Sequence, residues 1–346
     1  MTTKLEDYLN KFTENDWLSA IEKLLPTIHS VDRNAVRIWF RFYPLELFRY
    51  LQTTEDKAKA VQKFVLQGDY ELKNQIDSSH KFLYGHRFWA ETKAEIERRA
   101  ESFINETASL SDLIEQTALA VAEKSKVDKS LIVGIAAVGL MTLVQVGLED
   151  FKKSKGNVEK PKGRLAKSPD KIVEERLRND SQGIFSFLKT VDKKFTVTYD
   201  ETASDGKFQL VNDEEIASAA ARDQSKNWSS KDVRCLEGVI PVECRSAACG
   251  TCWVGILEGA EKLSEVSRLE RKQMKVFGYN QPDEAKPILR LACQARGYGA
   301  VSLVIPPWNG VFGKRVYGVE DVELEPATTA AKRLRETVSN VIENSN

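Results

Sequence analysis

From Leu5 to about Phe103 apolar residues return every three or four positions: Leu5, Tyr8, Leu9 and Phe12, then Trp17, Leu18, Ile21, Leu24 and Leu25. That is the period of amphipathic helices, each turning one stripe toward a core. Residues 32–51 concentrate Trp39, Phe40, Phe42, Tyr43, Phe48 and Tyr50 around Pro44. Proline lacks an N–H and clashes with the preceding turn, so two helices are expected to meet there. Thr53 with Asp56, and Ser109 with Asp112, have the spacing of helix starts. No two-residue alternation precedes about residue 190, which predicts an all-α domain over residues 1–151.

Within that domain, residues 131–148 carry no charge and a single amide, Gln145. Eighteen residues sit at the lower limit for crossing a hydrocarbon core. Burial inside the helical domain or an oligomer interface is the favoured reading, with Gly134, Gly139 and Gly147 allowing close backbone approach. Membrane insertion is the alternative. Residues 152–171 then hold eight basic side chains against Glu159 and Asp170, with Gly156, Pro161, Gly163 and Pro169. Such a stretch buries nothing, so residues 152–193 are expected to form a basic linker with a short helix at 172–178 and an apolar run at 184–188. Its alternative role is contact with anionic lipid or an acidic partner.

At Lys194 the period changes to two. Residues 195–199 and 207–211 flank Asp205 and Gly206 and read as a hairpin. Asn212 to Glu215 are expected to cap a helix reaching Arg222, and residues 253–257 to form a strand closing at Gly259. Leu334, Val338, Val341 and Ile342 make a last amphipathic stripe after Pro326, in an extension over residues 311–346.

Lys plus Arg and Asp plus Glu both number 51, so net charge suggests no nucleic-acid partner. The first residues show no basic run followed by an apolar one, and a cytoplasmic location is expected, membrane-associated if 131–148 inserts. The histidines, His29, His80 and His86, all lie in the helical part; a spacing of six keeps His80 and His86 off one helix face, so packed or surface roles are expected rather than a cofactor site. No phosphate-cradling loop or catalytic arrangement stands out there, so catalysis or redox-gated sensing is the least favoured function.

Four of five cysteines fall in one pattern: Cys244, Cys249 and Cys252, spaced C-x4-C-x2-C, then Cys293 forty residues on. This matches the plant-type spacing for a 2Fe-2S cluster held by four thiolates. Structural zinc prefers two close C-x2-C pairs, which Cys244 and Cys293 do not supply. The intervening residues Arg245, Ser246, Ala247, Ala248, Gly250 and Thr251, small apart from Arg245, form the loop whose N–H groups would face the sulfurs. Cys235 is left over and reads as a buried free thiol.

With Gly238 to Pro241 before the first cysteine, Gly259 after the next strand and Arg290 to Gln294 around the last, residues 194–307 resemble the 2Fe-2S ferredoxin family. The resemblance implies a β-grasp domain over 194–310, a 2Fe-2S cofactor with iron ligands Cys244, Cys249, Cys252 and Cys293, and no catalytic residues of its own. It also implies one-electron exchange with partner proteins, a reductase and an acceptor. The fold class expected is therefore α+β and multidomain, the helical domain serving docking, oligomerisation (a homo-oligomer among the options) or localisation. A relay subunit of a larger redox complex is the alternative. Two departures stand out: many relatives have glycine where this chain has Ala247, and Arg245, Arg268, Arg271, Lys272 and Lys275 replace the acidic surface usual in the family.

Overall fold

A computed structural model describes residues 3–103, 108–158, 160–178, 193–279 and 284–319. The helices, in chain order, are α1 Lys4–Leu9, α2 Glu14–Leu24, α3 Ser30–Phe42, α4 Leu45–Thr53, α5 Lys57–Lys63, α6 Trp89–Ser102, α7 Leu110–Ser125, α8 Ser130–Lys153, α9 Pro169–Leu177, α10 Ile216–Arg222, α11 Arg268–Phe277 and α12 Gly313–Tyr317. The strands are β1 Gln67–Gly68, β2 Lys194–Thr198, β3 Lys207–Val211, β4 Glu214–Glu215, β5 Trp253–Glu258, β6 Leu289–Leu291, β7 Arg296–Gly297, β8 Val301–Val304 and β9 Trp308–Asn309. Contacts divide the chain into two units, one of residues 1–57, 69–175 and 201–204, the other of 58–68, 176–200 and 205–346.

In the first unit, polar side chains cap the helices where the pattern begins. Thr3, Thr13 and Ser109 each accept the N–H three residues on, and the acidic residue there reaches back to the cap N–H. Pro44 separates α3 from α4 as its missing N–H requires. Thr53 starts no helix: it ends α4, and its hydroxyl bonds back to the Arg49 and Tyr50 carbonyls. A Thr can satisfy either end of a helix, and spacing to an acidic residue does not distinguish them.

Helix α8 is the centre of this unit, packed by α1, α3, α6 and α7, with its residues from Ile132 to Gln145 all buried. That is the environment an uncharged helix needs when protein surrounds it on all sides. A Cβ on Gly134 would stand 2.6 Å from Val36, and one on Gly139 would stand 2.5 Å from Ile96. Gly147 acts differently. Its φ of +76° breaks the helix, and the freed Leu148 N–H donates to the Glu6 carboxylate at 2.9 Å, a cap on the segment that restarts there.

The second unit is built on a five-stranded mixed sheet in the order β3-β2-β8-β5-β6. β2 and β8 are parallel, with Val197 opposite Val301, and the other neighbours are antiparallel. Phe195 and Val197 on β2 and Phe208 and Leu210 on β3 alternate inward, and α10 packs beside β3. The residues before α10 do not cap it as expected. Asp213 turns at φ +63°, β4 pairs with β7, and Glu215 occupies the N-cap without accepting a helix N–H, its carboxylate instead taking Ser218 Oγ and Arg296.

Residues 58–68 group with this sheet unit although helices of the first unit flank them in sequence. Gln67 pairs with Asn309 and Gly68 with Trp308, and Val311 N–H donates to the Phe64 carbonyl at 2.6 Å. Two paired residues are too few to leave an alternating pattern. The apolar run at 184–188 and the stripe from Leu334 to Ile342 lie outside the described residues.

Candidate functional site

All four patterned cysteines converge in the second unit. Cys244 and Cys249 lie on the loop between α10 and β5, Cys252 sits at the threshold of β5, and Cys293 follows β6. The pairing of Trp253 with Leu291 and of Val254 with Arg290 sets the last two cysteines side by side across forty residues of chain. The Ala292 N–H donates to the Cys252 carbonyl at 2.8 Å, extending that register into the site.

The loop backbone turns left-handed at three places. Arg245, Ala247 and Gly250 have φ of +55°, +61° and +68°, and left-handed residues in such a loop turn N–H groups to one side, a concavity for negative charge. Ser246 and Ala248 N–H point at the Cys244 sulfur at 3.4 and 3.2 Å. Gly250 is required twice: its φ suits glycine, and a Cβ there would stand 3.1 Å from the Phe277 ring. Ala247 has no such licence and holds a left-handed conformation while buried, at a cost of about 1–2 kcal/mol.

The thiols associate two by two. Cys244 and Cys249 act on each other electrostatically, as do Cys252 and Cys293. Cys244 is drawn down, first by the neighbouring Cys249 and then by Ser246, against its own burial. Cys293 is lowered by Cys252 and by the Gln294 amide, while Cys249 and Cys252 are raised by their neighbours and by burial. Cys249 is the half-exposed member; the other three are buried. Among the described residues no three His, Cys, Asp or Glu side chains surround one point as a single ion would need. Two pairs joined by a loop of inward N–H groups fit a group with two metal centres, each taking two thiolates.

Polar neighbours hold the sulfurs in place. Thr251 Oγ1 lies 3.1 Å from Cys249 Sγ and Gln294 Nε2 lies 3.5 Å from Cys293 Sγ. Arg245 spans from the loop to Glu237 at 2.5 Å and to Ser218 on α10 at 2.9 Å. Cys235 stands apart from the four: its Sγ donates to the Val239 carbonyl at 3.2 Å, and burial pushes its thiol up to about 11.

Glu270 and Tyr279 shape the site without a signal in the pattern of positions, and Arg290, beside Cys293 in the motif, is tied to the first of them. Glu270 on α11 and Arg290 on β6, both about 1% exposed, meet through two bonds of 2.9 and 3.0 Å, and Glu270 also accepts the Leu291 N–H. This ties α11 to the strand that delivers Cys293. Tyr279 stacks on Trp253 with ring centroids 3.7 Å apart, beneath the cysteine loop. A polar pair inside a helix-and-strand contact can be found in sequence only by asking where the lone acid on the inner face of α11 goes.

His80 and His86 have the packed role expected, although helical spacing was not the reason. The segment before α6 is a series of tight turns, not one helix, and it brings His86 Nδ1 within 2.9 Å of His80 Nδ1. His80 Nε2 meets the Ile76 carbonyl at 3.2 Å and the ring packs on Trp89. They form a buried packed pair in the first unit.

No solved structure matches the chain. Residues 233–296, which contain all four paired cysteines, match the family model of the 2Fe-2S iron-sulfur cluster binding domain. This segment is accordingly a ferredoxin-type domain whose cofactor is a 2Fe-2S cluster and whose general chemistry is iron–sulfur electron transfer.

Proposed function

We propose that the protein is a one-electron carrier whose second unit is a β-grasp ferredoxin domain holding the cluster through Cys244, Cys249, Cys252 and Cys293. The observation that carries the assignment is the convergence of these four cysteines, three on one loop and its edge and the fourth set beside Cys252 by the β5–β6 pairing, with two N–H groups aimed at the Cys244 sulfur. The β-grasp reading is supported by the sheet order, with β2 and β8 parallel at its middle and α10 packed beside it. When bound, the cluster supplies reversible one-electron transfer. The chain's own residues supply four thiolates, inward N–H dipoles that favour negative charge, and an apolar floor of Trp253, Phe277 and Tyr279 that keeps water from the inner pair. The half-exposed Cys249 marks the side on which electrons enter and leave. The helical unit serves docking, oligomerisation or localisation.

Purified protein is expected to show visible absorption of a 2Fe-2S cluster and an electron resonance signal only after uptake of one electron. Replacing any one of the four cysteines by alanine is expected to abolish both, whereas Cys235→Ser leaves them. A protein that stays colourless after cluster reconstitution, or that loses its colour only in Cys235→Ser, overturns the assignment.

A further inference from the structure

Helix α8 ends at Lys153, and the chain runs on to α9 over the helical unit with little regular structure. Between Ser154 and Pro169 the sequence carries Lys155, Lys160, Lys162, Arg164 and Lys167 against one acid, Glu159. That composition alone predicts a solvated tether. The backbone is nevertheless tied down on both sides of its cations. The Gly156 N–H donates to the Asp77 carboxylate at 2.9 Å, whose other oxygen accepts the Trp89 indole N–H at 2.8 Å. Gly156 is buried, and its φ of +65° is one that glycine adopts without strain. Downstream, Arg87 donates to the Lys167 carbonyl at 2.8 Å. A tight turn lies between, with the Leu165 N–H on the Lys162 carbonyl and the Ala166 N–H on the Gly163 carbonyl.

The cations here fall into two sets. Lys152, Lys153 and Lys167 are matched by Glu101, Asp150 and Glu175. Lys155, Lys160, Lys162 and Arg164 are exposed and, among the described residues, none of the four is paired with a carboxylate. The groups that anchor the segment are backbone ones, the Gly156 N–H and the Lys167 carbonyl, so these side chains are left to the solvent. Gly163 stands at the turn, where a Cβ would meet nothing within 4 Å. Lys162 and Arg164 flank that open point. Val158, Pro161 and Leu165 are half-exposed among the cations.

We propose that this segment is a contact surface for an anionic lipid bilayer, with Lys155, Lys160, Lys162 and Arg164 on the headgroup phosphates and carboxylates and Val158 and Leu165 entering the headgroup layer. The proposal takes up the localising role of the helical unit and does not depend on the cluster reading. The negative surface of a bilayer attracts exposed cations with a gain of about fivefold in binding for each. A nucleic acid fits this surface less well. Residues 152–178 hold no aromatic side chain on which a base could stack, and the chain has a net charge of zero.

The test uses full-length protein pelleted with sucrose-loaded vesicles, made of phosphatidylcholine alone or of equal parts phosphatidylcholine and phosphatidylserine. Binding is expected only to the mixed vesicles and falls as salt rises, because exposed charges are screened. R164Q is expected to weaken it about fivefold and K160Q/K162Q/R164Q about a hundredfold. K193Q/K194Q/K207Q removes the same charge from exposed positions of the sheet unit and should leave binding nearly unchanged. Circular dichroism of all variants should match that of wild type. Absence of wild-type binding to the mixed vesicles overturns the proposal. So does equal loss in the two triple variants, which would make net charge the cause. Tighter binding to duplex DNA or to polyglutamate than to the vesicles, lost in K160Q/K162Q/R164Q, also overturns it. Protein that stays colourless yet binds the mixed vesicles defeats the carrier reading alone, and coloured protein that ignores them defeats this proposal alone.

Discussion

The Tyr279 hydroxyl lies 3.3 Å from the carbonyl of Gly250, inside the cysteine loop, and 3.2 Å from the carbonyl of Gly310, beyond β9. One buried side chain therefore joins the loop that carries Cys249 and Cys252 to the segment paired with β1. Tyr279→Phe keeps the ring stacked on Trp253 but leaves buried carbonyls without that donor. A loss of roughly 1–3 kcal/mol is expected, read as a lower denaturant midpoint and faster bleaching of the cluster on heating. An unchanged midpoint would show that water replaces the hydroxyl without cost.

The same segment extends to Phe64, which is buried and whose carbonyl accepts the Val311 N–H. Residues 58–68 are thus part of the body that surrounds the cysteines. Phe64→Ala removes a buried ring and is expected to destabilise that unit by about 3–5 kcal/mol. Pulse proteolysis with detection of fragments from the second unit measures this; equal cleavage of variant and wild type would contradict it.

Glu270 and Arg290 are both about 1% exposed. A buried pair is a poor source of net stability, but breaking it strands a charge in the interior. Glu270→Gln is expected to cost about 3–5 kcal/mol, while Glu270→Leu with Arg290→Leu recovers most of that loss. Urea denaturation of the three proteins decides the matter, since a double variant weaker than the single one would mean the pair is stabilising in itself.

Legibility followed the range of the interaction. Cys244, Cys249 and Cys252 stand out because cluster chemistry constrains neighbours along the chain, and Arg290 was conspicuous beside Cys293 for the same reason. The partner of Arg290, Glu270, was not, because a charged residue in an exposed-looking helix gives no sign of turning inward. Ser109 capped its helix as its spacing implied and Thr53 did not, since the same hydroxyl serves either end. The strand at Gln67 and Gly68 depends on a partner about 240 residues away and has no local period of its own. His80 and His86 were judged by helical spacing, and the chain there is not a helix.

Ala247 is a departure visible in the sequence whose cost the structure locates, at φ +61° in a buried position. Ala247→Gly removes the left-handed penalty of about 1–2 kcal/mol and adds about 0.4–1 kcal/mol of unfolded-state entropy. The net expectation is a modest gain in resistance of the cluster to thermal loss. Ala247→Val, with a branched side chain in the same conformation, is expected to prevent cluster retention. Following visible absorbance during a thermal ramp tests both, and the reverse order of stability would refute the strain argument.

The His80–His86 pair makes acid sensitivity a property of the helical unit. Burial and the neighbouring His86 hold His80 well below the ordinary imidazole range, and burial, with Lys81 adding and Asp77 opposing, holds His86 down to about 4. Both are neutral in the folded protein at pH 7. An unfolded imidazole takes its proton near 6.5, so below that pH the unfolded chain binds protons that the folded one refuses. The stabilisation is complete above pH 6.5 and declines as pH falls toward 4, by roughly 3 kcal/mol for His86 alone. Urea midpoints at pH 7.5, 5.5 and 4.5 should therefore fall in that order for the helical unit. His86→Gln, which cannot charge, should flatten the decline between pH 6.5 and 4 at the expense of some stability at pH 7.5. An equally steep decline in the variant would move the acid sensitivity to other groups.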